Sequence, residues 1–382
     1  MYTRILKAPD HSFFLFGPRG TGKTTWLKTV FKGAKWFDLL RSEQLLKLLR
    51  NPEQLRFEVE SLGEGSWIVI DEIQKLPQLL NEIHSLIADY GNTYNFALSG
   101  SSARKLKRLD ANLLAGRVFN RKFFPLTGEE LGYDFATDDL LRYGTLPKVC
   151  AEPRHRIDIL DAYVMNYLRE EIQQEALVQN LASFSRFLEV AAVMNGMAVN
   201  TSNIARDAGV ARPTVQRYFD TLVDTLIGVW LPAWRPRAKV KEVSHPKFYF
   251  FDTGVVRATQ NRLRDPLEAA ERGSLLETLV LHELRAQINR ANCGGEIFYW
   301  GTPSCSEIDF IWVRGGNAIG IEVKAVSKWK TEYGSALNQL SVEGRLERCF
   351  AVYLGDVRLK DHAIHVLPLK EFMRDLARGK IF

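Results

Sequence analysis

The sequence has few cysteines, and none of them is spaced to build a metal or redox site. Four cysteines occur in 382 residues. None is separated from another by only two residues, which excludes a zinc ribbon and a thioredoxin-type site. A chain of this length does not need disulfide bonds to fold, so we expect a reducing, cytoplasmic environment. The four positions are Cys150, Cys293, Cys305 and Cys349.

Long apolar runs and a strong charge of one sign are also missing. No segment approaches the roughly 20 apolar residues that cross a membrane, and the first ten residues do not resemble a signal peptide. We therefore expect no membrane partner. The 51 lysines and arginines against 45 acidic residues leave a net charge of +6. An excess of this size permits a polyanionic partner without requiring one.

The overall composition is that of a globular protein. Hydrophobic residues make up 46% of the chain and charged residues 25%, which is typical of proteins that bury a core. This composition excludes disorder and collagen-like architectures for most of the chain. The length favours two or three domains at roughly 150 residues each.

A glycine-rich loop follows the first apolar run. Residues 13–16 predict a buried strand, residues 17–24 read GPRGTGKT, and helical periodicity follows. This is the pattern G-x-x-x-x-G-K-[ST] between a strand and a helix, the context of a phosphate-binding loop. Glycines let backbone amides curl around phosphates, and the helix N-terminus adds a positive field. The predicted nucleotide contacts are Gly17, Pro18, Arg19, Gly20, Thr21, Gly22, Lys23, Thr24 and Thr25.

Within this loop, two side chains have separate predicted roles. Lys23 is predicted to contact the β- and γ-phosphates, and the Thr24 hydroxyl is predicted to bind Mg²⁺. A glycine-rich turn without a ligand is the alternative interpretation.

Two acids end a second apolar run. Asp71 and Glu72 follow residues 67–70, which read WIVI. Open α/β sheets bind ligands at the carboxyl ends of their strands, so both acids are expected beside the loop. Asp71 is predicted to bind Mg²⁺ through water, and Glu72 to polarise the attacking water. An ordinary acidic transition from strand to loop is the alternative.

Two further positions suit nucleotide chemistry. Ser99 ends a third predicted strand, where its hydroxyl suits sensing of the γ-phosphate or the lytic water; a simple Ser/Gly turn is the alternative. Arg117 precedes the apolar-rich residues 118–124, where an arginine of an oligomeric ATPase reaches the γ-phosphate of a neighbouring subunit. A solvated arginine or one paired with a carboxylate is the alternative. The basic stretch 104–108 reads as a solvated face or a DNA contact.

In this order and spacing, the loop, the acidic strand, the serine-rich strand and the arginine resemble an AAA+ ATPase core. The resemblance is greatest to the prokaryotic group with a DUF4143 C-terminal region. It implies ATP and Mg²⁺ as cofactors and a homo-oligomer, with a hexameric ring as the family expectation. The residues it implies are a Walker A pair (Lys23, Thr24), a Walker B pair (Asp71, Glu72), a sensor 1 position (Ser99) and a candidate arginine finger (Arg117).

The middle of the chain predicts helices and a helix-turn-helix. Residues 202–210 and 212–219 have the pattern of two helices joined by a glycine turn, and the basic residues 234–241 follow like a wing. The N-terminal residues of the second helix of such a motif face a DNA groove. A winged helix is also used as a protein-interaction module, so both partners stay open. The predicted DNA contacts are Arg212, Thr214, Gln216, Arg217, Arg235 and Arg237.

The same region carries two packing predictions. The tryptophans are interpreted as packing residues, with Trp234 best placed to stack on a base because basic residues surround it. The predicted core of the motif is Ala205, Val210, Val215, Phe219 and Leu222.

Carboxylates and a lysine recur in the last third. A helix is predicted at 273–284, and strands at 296–300, 307–313 and 320–325. In the last of these strands, alternation places Glu322 and Lys324 on one face. With Asp309 and Glu277, this set suits phosphodiester hydrolysis, in which the three carboxylates bind Mg²⁺ and Lys324 positions water.

The region resembles the PD-(D/E)xK nuclease superfamily, and the full order of segments matches the DUF4143 group. These residues are compatible with a working nuclease and with an inactive nuclease-like module. A solvated ion pair between Glu322 and Lys324 is the third interpretation.

The sequence thus predicts an α/β protein in four segments. They are an AAA+ P-loop ATPase core (1–126), a helical lid (127–186), a winged helix-turn-helix (187–262) and a C-terminal α/β nuclease-like domain (263–382). The predicted function is a Mg²⁺-dependent ATPase that binds DNA and carries a nuclease-type site. The alternatives are an oligomeric nucleotide switch with protein partners and an inactive nuclease-like domain, and a P-loop enzyme that acts on a small molecule.

Overall fold

The computed structural model describes residues 2–101, 114, 116–168, 181–235, 245–302 and 306–382. The chain forms two compact units. The N-terminal unit comprises Arg4–Pro125 and Asp224–Ile227, and the C-terminal unit contains Leu126–Val223 and Gly228–Phe382. The division after Pro125 lies next to the predicted end of the P-loop segment. The three segments predicted after it share one unit, so their boundaries stay predictions.

The N-terminal unit is built on a five-stranded sheet with the strand order β2-β3-β4-β1-β5. Every pairing in it is parallel, so all carboxyl ends lie at one edge. The strands are β1 (Phe13–Phe16), β2 (Lys35–Asp38), β3 (Trp67–Asp71), β4 (Asn95–Gly100) and β5 (Phe119–Lys122). The helices are α1 (Lys23–Val30), α2 (Ser42–Arg50), α3 (Gln54–Glu60) and α4 (Leu79–Tyr90), with a 3-10 turn at Ile73–Lys75.

Both faces of this sheet are covered. Phe13 and Leu15 pack with Trp26 of α1 in one layer, while Phe14 belongs to the opposite layer with Ile68. Burial on both faces explains why these strands are continuous apolar runs rather than alternating ones. The architecture is the P-loop α/β fold that the sequence predicts.

The C-terminal unit holds the remaining helices, most of them short. They are α5 (Thr137–Tyr143), α6 (Pro147–Ala151), α7 (Arg156–Ala162), α8 (Leu181–Val193), α9 (Thr201–Ala208), α10 (Arg212–Asp224), α11 (Thr253–Thr259), α12 (Ala269–Ala291), α13 (Ser335–Val342) and α14 (Leu369–Ala377). A π-helical segment, Tyr163–Leu168, continues α7. No helix within the described ranges is long and apolar enough to span a membrane.

Two sheets complete this unit. The larger is mixed, with the order β12-β13-β11-β10-β9-β8, and the smaller is the antiparallel pair β6-β7. The strands are β6 (Gly228–Leu231), β7 (Lys247–Phe250), β8 (Glu296–Gly301), β9 (Glu307–Arg314), β10 (Asn317–Lys324), β11 (Arg348–Tyr353), β12 (Leu359–Asp361) and β13 (Ile364–Pro368). Helix α12 packs against β10.

Helices α9 and α10 form a helix-turn-helix followed by the β6-β7 pair. The turn begins at Gly209, whose positive φ of 66° ends α9. The Asn200 side chain accepts hydrogen bonds from the amides of Ser202 and Asn203 and caps the start of α9. The residues 236–244, which include most of the predicted basic wing, lie outside the described residues.

The predicted core of this motif is partly wrong. Val215, Phe219 and Leu222 are buried as expected, but Ala205 and Val210 are only half-buried. Ile204 and Ala208 are buried instead. Because these two residues are four apart, they share one face of α9, and this face, rather than that of Ala205, turns inward.

Candidate functional site

The glycine loop between β1 and α1 has a backbone that only glycine adopts easily. Gly20 and Gly22 have φ angles of 81° and 90°, in the left-handed region. At Gly17 a Cβ atom would lie 2.2 Å from the carbonyl oxygen of Phe123. The glycines are therefore needed for the turn and for its close approach to the neighbouring chain.

Lys23 lies inside this loop. Its Nζ donates to the carbonyl oxygens of Gly17 at 2.7 Å and Pro18 at 3.0 Å, and the residue is 5% exposed. The Thr21 hydroxyl donates to the same Pro18 carbonyl at 2.8 Å. These bonds place an ammonium group at the centre of the loop. Of the other predicted loop contacts, Arg19 is half-buried and Thr25 is exposed.

Asp71 at the end of β3 joins two other predicted residues. Its Oδ2 accepts from the Thr24 hydroxyl at 2.7 Å, and its Oδ1 contacts the Ser99 hydroxyl. Asp71 is 1% exposed and Ser99 is completely buried. A threonine hydroxyl beside a carboxylate, both of them oxygen ligands, is the donor set that Mg²⁺ prefers. The residues present therefore fit a magnesium ion at this edge of the sheet.

Glu72 has an unusual backbone. Its φ of 61° and ψ of 47° are left-handed, which costs about 1–3 kcal/mol for a residue other than glycine and is common at functional sites. The amide of Glu72 donates to Ser99 Oγ at 3.3 Å. The strained turn directs the chain away from β3 directly after Asp71.

Two residues that the sequence did not predict hold the Glu72 side chain. Gln74 Nε2 contacts the Glu72 carboxylate and also donates to Ser101 Oγ at 3.0 Å. Ser101 Oγ lies 3.5 Å from the same carboxylate. Gln74 Oε1 is buried without a hydrogen-bond partner among the described residues. Gly100 leaves room for it, since a Cβ there would lie 2.8 Å from that oxygen.

Arg117 lies in the turn before β5. It is exposed, and its guanidinium contacts His84 Nε2 of α4. Within the described part of the chain no carboxylate pairs with it, so the pairing interpretation is not what the structure shows. A role toward a neighbouring subunit stays a prediction.

In the C-terminal unit, the predicted carboxylates come from three elements. Phe310 of β9 pairs with Ile321 of antiparallel β10, which brings Asp309 and Glu322 next to each other one step further along. Asp309 and Glu322 are 5% and 4% exposed. The third carboxylate, Glu277, lies on α12, and its charge interacts with that of Asp309.

One oxygen of these carboxylates is buried without a hydrogen-bond partner in the part of the chain that the structure describes. Asp309 Oδ2 accepts from the amide of Val323 at 2.7 Å. Glu322 Oε1 contacts Lys324 Nζ, as the strand alternation predicts. Glu322 Oε2 is buried without a hydrogen-bond partner among the described residues. Because an unpaired buried carboxylate oxygen is costly, this atom marks a place for a cation or a donor.

Strand β7 adds two side chains to this centre that the sequence analysis missed. Lys247 is 4% exposed and contacts Glu307. Tyr249 Oη donates to Glu277 Oε2 at 2.7 Å. The available signal was a lysine in the apolar run KFYF, the same type of anomaly as Glu322 in β10. We call the six charged residues and the tyrosine the carboxylate centre: Lys247, Tyr249, Glu277, Glu307, Asp309, Glu322 and Lys324.

Burial controls the ionisation of this centre. It raises the pKa of Glu277 to about 8, and the charge of Asp309 adds to the shift. The pKa values of Asp309 and Glu322 are raised for the same reason. Burial acts to lower the pKa of Lys324, but Glu322 and Asp309 outweigh it and raise that pKa to about 12. When all six charged groups are ionised, four carboxylates against two ammonium groups leave two negative charges, but Glu277, with a pKa of about 8, is protonated at neutral pH, which removes one of them.

The centre does not form a preassembled metal cage. Among the residues that the structure describes, no three His, Cys, Asp or Glu side chains are arranged to hold a metal ion. Magnesium, however, is often bound by one or two carboxylates together with water and substrate phosphates. Glu322 Oε2 and Asp309 fit that mode, while Glu277 is engaged by Tyr249.

The predicted DNA contacts fall into two groups. Arg217 Nη2 donates to Thr214 Oγ1 at 3.2 Å on one side of α10. Arg212 and Gln216, four residues apart, are both exposed and share another side. Arg235 is also exposed, and Arg237 lies outside the described residues.

Models of known families match three parts of the chain. The model of an AAA domain matches residues 10–132, and that of a domain of unknown function, DUF4143, matches residues 272–372. The chain combines an AAA domain with a DUF4143 domain. A second domain of unknown function, DUF8612, matches residues 135–265 between them.

Two relatives match most of the chain. Uncharacterized proteins of Mycobacterium bovis and Mycobacterium tuberculosis are each 28% identical over 351 residues, which is 90% of this chain and 76% of theirs. The chain is therefore similar to them from the AAA domain into the DUF4143 domain.

Solved structures give weaker likenesses. The Aeropyrum pernix ORC2 protein is 12% identical with a TM-score of 0.38, covering 67% of this chain and 89% of that one. The Aeropyrum pernix ORC1 protein in complex with DNA is 14% identical with a TM-score of 0.30, covering 68% and 88%. These scores are too low to carry the properties of those proteins to this chain.

A buried glutamate of the DUF4143 domain is expected to make stability depend on pH. Glu283 on α12 accepts from the amide of Gly128 at 2.7 Å and is 5% exposed. Burial raises its pKa to about 8, the charges of Glu130 and Glu129 add to the shift, and Arg290 opposes it. The backbone bond also opposes the shift without cancelling it.

We predict that the free energy of unfolding falls as pH rises from about 4.5 to about 8. In this range the unfolded glutamate has lost its proton while the folded one keeps it, so the contribution of Glu283 declines by about 1.4 kcal/mol per pH unit. Urea unfolding at several pH values measures the slope. A Glu283→Gln variant should have a smaller slope than the wild type; equal slopes would show that Glu283 does not titrate in this range.

Proposed function

We propose that the protein is a Mg²⁺-dependent ATPase that works on DNA. The observation that carries the ATPase part is Asp71, whose two oxygens are held by Thr24 and Ser99 beside the glycine loop. Lys23 adds an ammonium group within the same loop. These are the parts that phosphoryl transfer needs: amides and a lysine for the phosphates and oxygen ligands for the metal.

The roles of the side chains follow from their contacts. Thr24 and Asp71 would hold Mg²⁺, which neutralises charge on the β- and γ-phosphates when it is bound. Glu72 would accept a proton from the attacking water. Gln74 and Ser101 orient the Glu72 carboxylate, and we assign them as positioning residues. Ser99 bonds both Asp71 and the amide of Glu72, so it links the metal ligand to the base.

ATP turnover with and without duplex DNA tests the proposal. We expect the wild type to hydrolyse ATP, faster when DNA is present, and Lys23→Ala to lose turnover under both conditions. Equal rates for Lys23→Ala and the wild type would overturn the assignment of the loop. A wild-type rate that DNA leaves unchanged would remove the link between hydrolysis and DNA.

The DNA part rests on the helix-turn-helix. Exposed cationic and amide side chains occupy the first turns of α10, where such motifs contact phosphates and base edges. They are Arg212, Gln216 and Arg217. The net charge of +6 is compatible with a polyanion.

Arg117 is proposed to act on ATP bound by a neighbouring copy, so the active form would be a homo-oligomer. Arg117 is exposed, its guanidinium contacts His84, and it has no carboxylate partner among the described residues. We predict that mixing inactive Arg117→Ala with inactive Lys23→Ala restores part of the ATP turnover, because some interfaces then combine an intact loop with an intact arginine. Mixtures no more active than either variant alone would count against a role in trans.

A second candidate function is a nucleotide-dependent oligomeric switch whose nuclease-like domain does not cut DNA. The observation that favours it is Lys247, an ammonium group inside the carboxylate centre. Cleavage of supercoiled plasmid with Mn²⁺, run beside Lys324→Ala, decides between the two. Wild-type cutting that Lys324→Ala loses supports a nuclease; cutting that is absent, or equal in both proteins, supports the switch.

A further inference from the structure

A cavity of about 520 Å³ lies in the C-terminal unit between the helix-turn-helix and the β6-β7 pair. This volume falls within the range of small-molecule and nucleotide sites, roughly 300–1,000 Å³. Its wall includes Asn200, Arg212, Gln216, Trp230 and His245. Arg212 and Gln216, two of the predicted DNA contacts, therefore line a cavity rather than lying on an open helix surface.

The charge of the wall favours an anion. Arg212 contributes a guanidinium, and none of the described residues that line the cavity is acidic. Arg212 Nε donates to Thr201 Oγ1 at 3.0 Å, which restrains the guanidinium, and no hydrogen bond of its two terminal amino groups is seen among the described residues. Such a pair of amino groups matches a phosphate. The amides at the start of α9 are already capped by Asn200, so the arginine is the anion contact.

Trp230 gives the cavity an aromatic wall that is held in place. Its ring lies 4.8 Å from that of Phe219 and 5.1 Å from that of Phe248, centroid to centroid. The residue is half-buried, so part of the indole stays accessible while the rest is packed. A fixed aromatic surface beside a cation is the combination on which nucleic-acid bases stack.

Gln216 adds a hydrogen-bond acceptor. Its Nε2 donates to Asp220 Oδ1 at 3.1 Å, so its amide oxygen is the group that can accept a hydrogen bond from a ligand. The exocyclic amino group of adenine or cytosine is such a donor. The cavity thus combines a phosphate contact, a stacking surface and an acceptor, which together match one nucleotide.

We propose that this cavity binds one unpaired nucleotide of single-stranded DNA, with its base against Trp230 and its phosphate on Arg212. The inference rests on the proposed DNA binding and names the substrate: DNA with a single-stranded part. A paired base cannot enter, because its two faces and its edge are covered in the duplex. Thr214 and Arg217, which bond each other outside the cavity wall, remain for contacts with the duplex.

Fluorescence anisotropy with three labelled DNAs tests the proposal. The probes are a blunt duplex, the same duplex with a single-stranded adenine tail, and the same duplex with an abasic tail of equal length. We expect the wild type to bind the adenine-tailed duplex about tenfold more tightly than the blunt one, because stacking of one base contributes about 1–3 kcal/mol. The duplex with the abasic tail should show only the part of this gain in affinity that the phosphate contact contributes.

Variants separate the cavity from the rest of the surface. Trp230→Leu should lose the preference for the adenine tail, and Trp230→Phe should keep most of it. Arg212→Gln, an exposed position that does not endanger folding, should lower affinity for both tailed DNAs. The matched control Arg217→Gln should weaken the blunt and the tailed duplex by the same factor. Thermal unfolding checks that Trp230→Leu is folded.

The outcomes distinguish this inference from the proposed function. A wild type that binds blunt and adenine-tailed duplex equally, or a folded Trp230→Leu that keeps the preference, would overturn the nucleotide cavity while DNA binding stands. A wild type that binds none of the three DNAs would overturn both. Binding of the tailed DNAs alone would support the cavity and exclude a contact with the duplex.

Discussion

Replacing Glu72 by glutamine is expected to lower ATP turnover by about 10²- to 10⁴-fold, the range that a positioned general base contributes. Glutamine has the same shape but cannot accept the proton of the attacking water. Gln74 can still donate to the amide oxygen, so the turn after β3 should persist. ATP binding should be unchanged, because Lys23, Thr24 and Asp71 are intact.

Turnover and ATP affinity are measured in parallel for Glu72→Gln and for Glu64→Gln. Glu64 is an exposed acid of the same unit, and its replacement should alter neither quantity. A Glu72→Gln protein that turns over ATP at the wild-type rate would exclude Glu72 as the base. One that no longer binds ATP would show instead that Glu72 supports the structure of the nucleotide site.

Replacing Lys247 by methionine is expected to lower the free energy of unfolding at alkaline pH. The loss should be smaller than the roughly 3–5 kcal/mol that removing one partner of a fully buried ion pair costs, because the Glu307 side chain is 45% exposed. Without this ammonium group, Glu277, Glu307 and Asp309 keep their charges close together with only Lys324 to oppose them. The loss should be smaller near pH 6, because Glu277, with a pKa of about 8, is then protonated.

Urea unfolding in the absence of divalent metal measures this loss, with Lys330→Met as the matched control. Lys330 forms a 3.5 Å pair with Glu332 in which both side chains are mostly exposed, and such a pair contributes at most about 1 kcal/mol. Mn²⁺ should restore part of the stability of Lys247→Met by taking the place of the lost cation. An equal loss of free energy of unfolding in the two variants would contradict the stabilising role assigned to Lys247.

The nucleotide site could be predicted from the sequence because its parts are local. The loop, Asp71 with Glu72, and Ser99 each end a strand, and parallel strands bring their carboxyl ends to one edge. Gln74 could not be predicted in the same way. It belongs to a 3-10 turn whose direction depends on the left-handed backbone of Glu72, and nothing in the pattern of residues indicates that conformation.

The contacts of the carboxylate centre could likewise be predicted only in part. The period of two along a strand placed Glu322 beside Lys324, as observed. Lys247 and Tyr249 enter from β7, which is far from Asp309 and Glu322 in the sequence, so their contacts depend on the packing of one sheet against another. Local periodicity carries no information about such packing.

The tryptophans show a further limit of local patterns. The tryptophans were interpreted as packing residues, with Trp234 as the best candidate for stacking because of its basic neighbours, and the structure packs Trp234 against the core of the six-stranded sheet. Trp230, which lies in an apolar strand, lines the cavity instead. Both residues are half-buried; the charge of adjacent residues did not reveal which indole lines the cavity, because that depends on the pairing of β6 with β7.

The most direct test of the account is a calorimetric titration of the wild type with ATP in the presence of Mg²⁺, repeated for Lys23→Ala. We expect saturable heat corresponding to one nucleotide per chain in the wild type and its loss in the variant. No heat in the wild type, or the same affinity in both proteins, would contradict the claim that the loop after β1 and the acid after β3 together hold Mg·ATP.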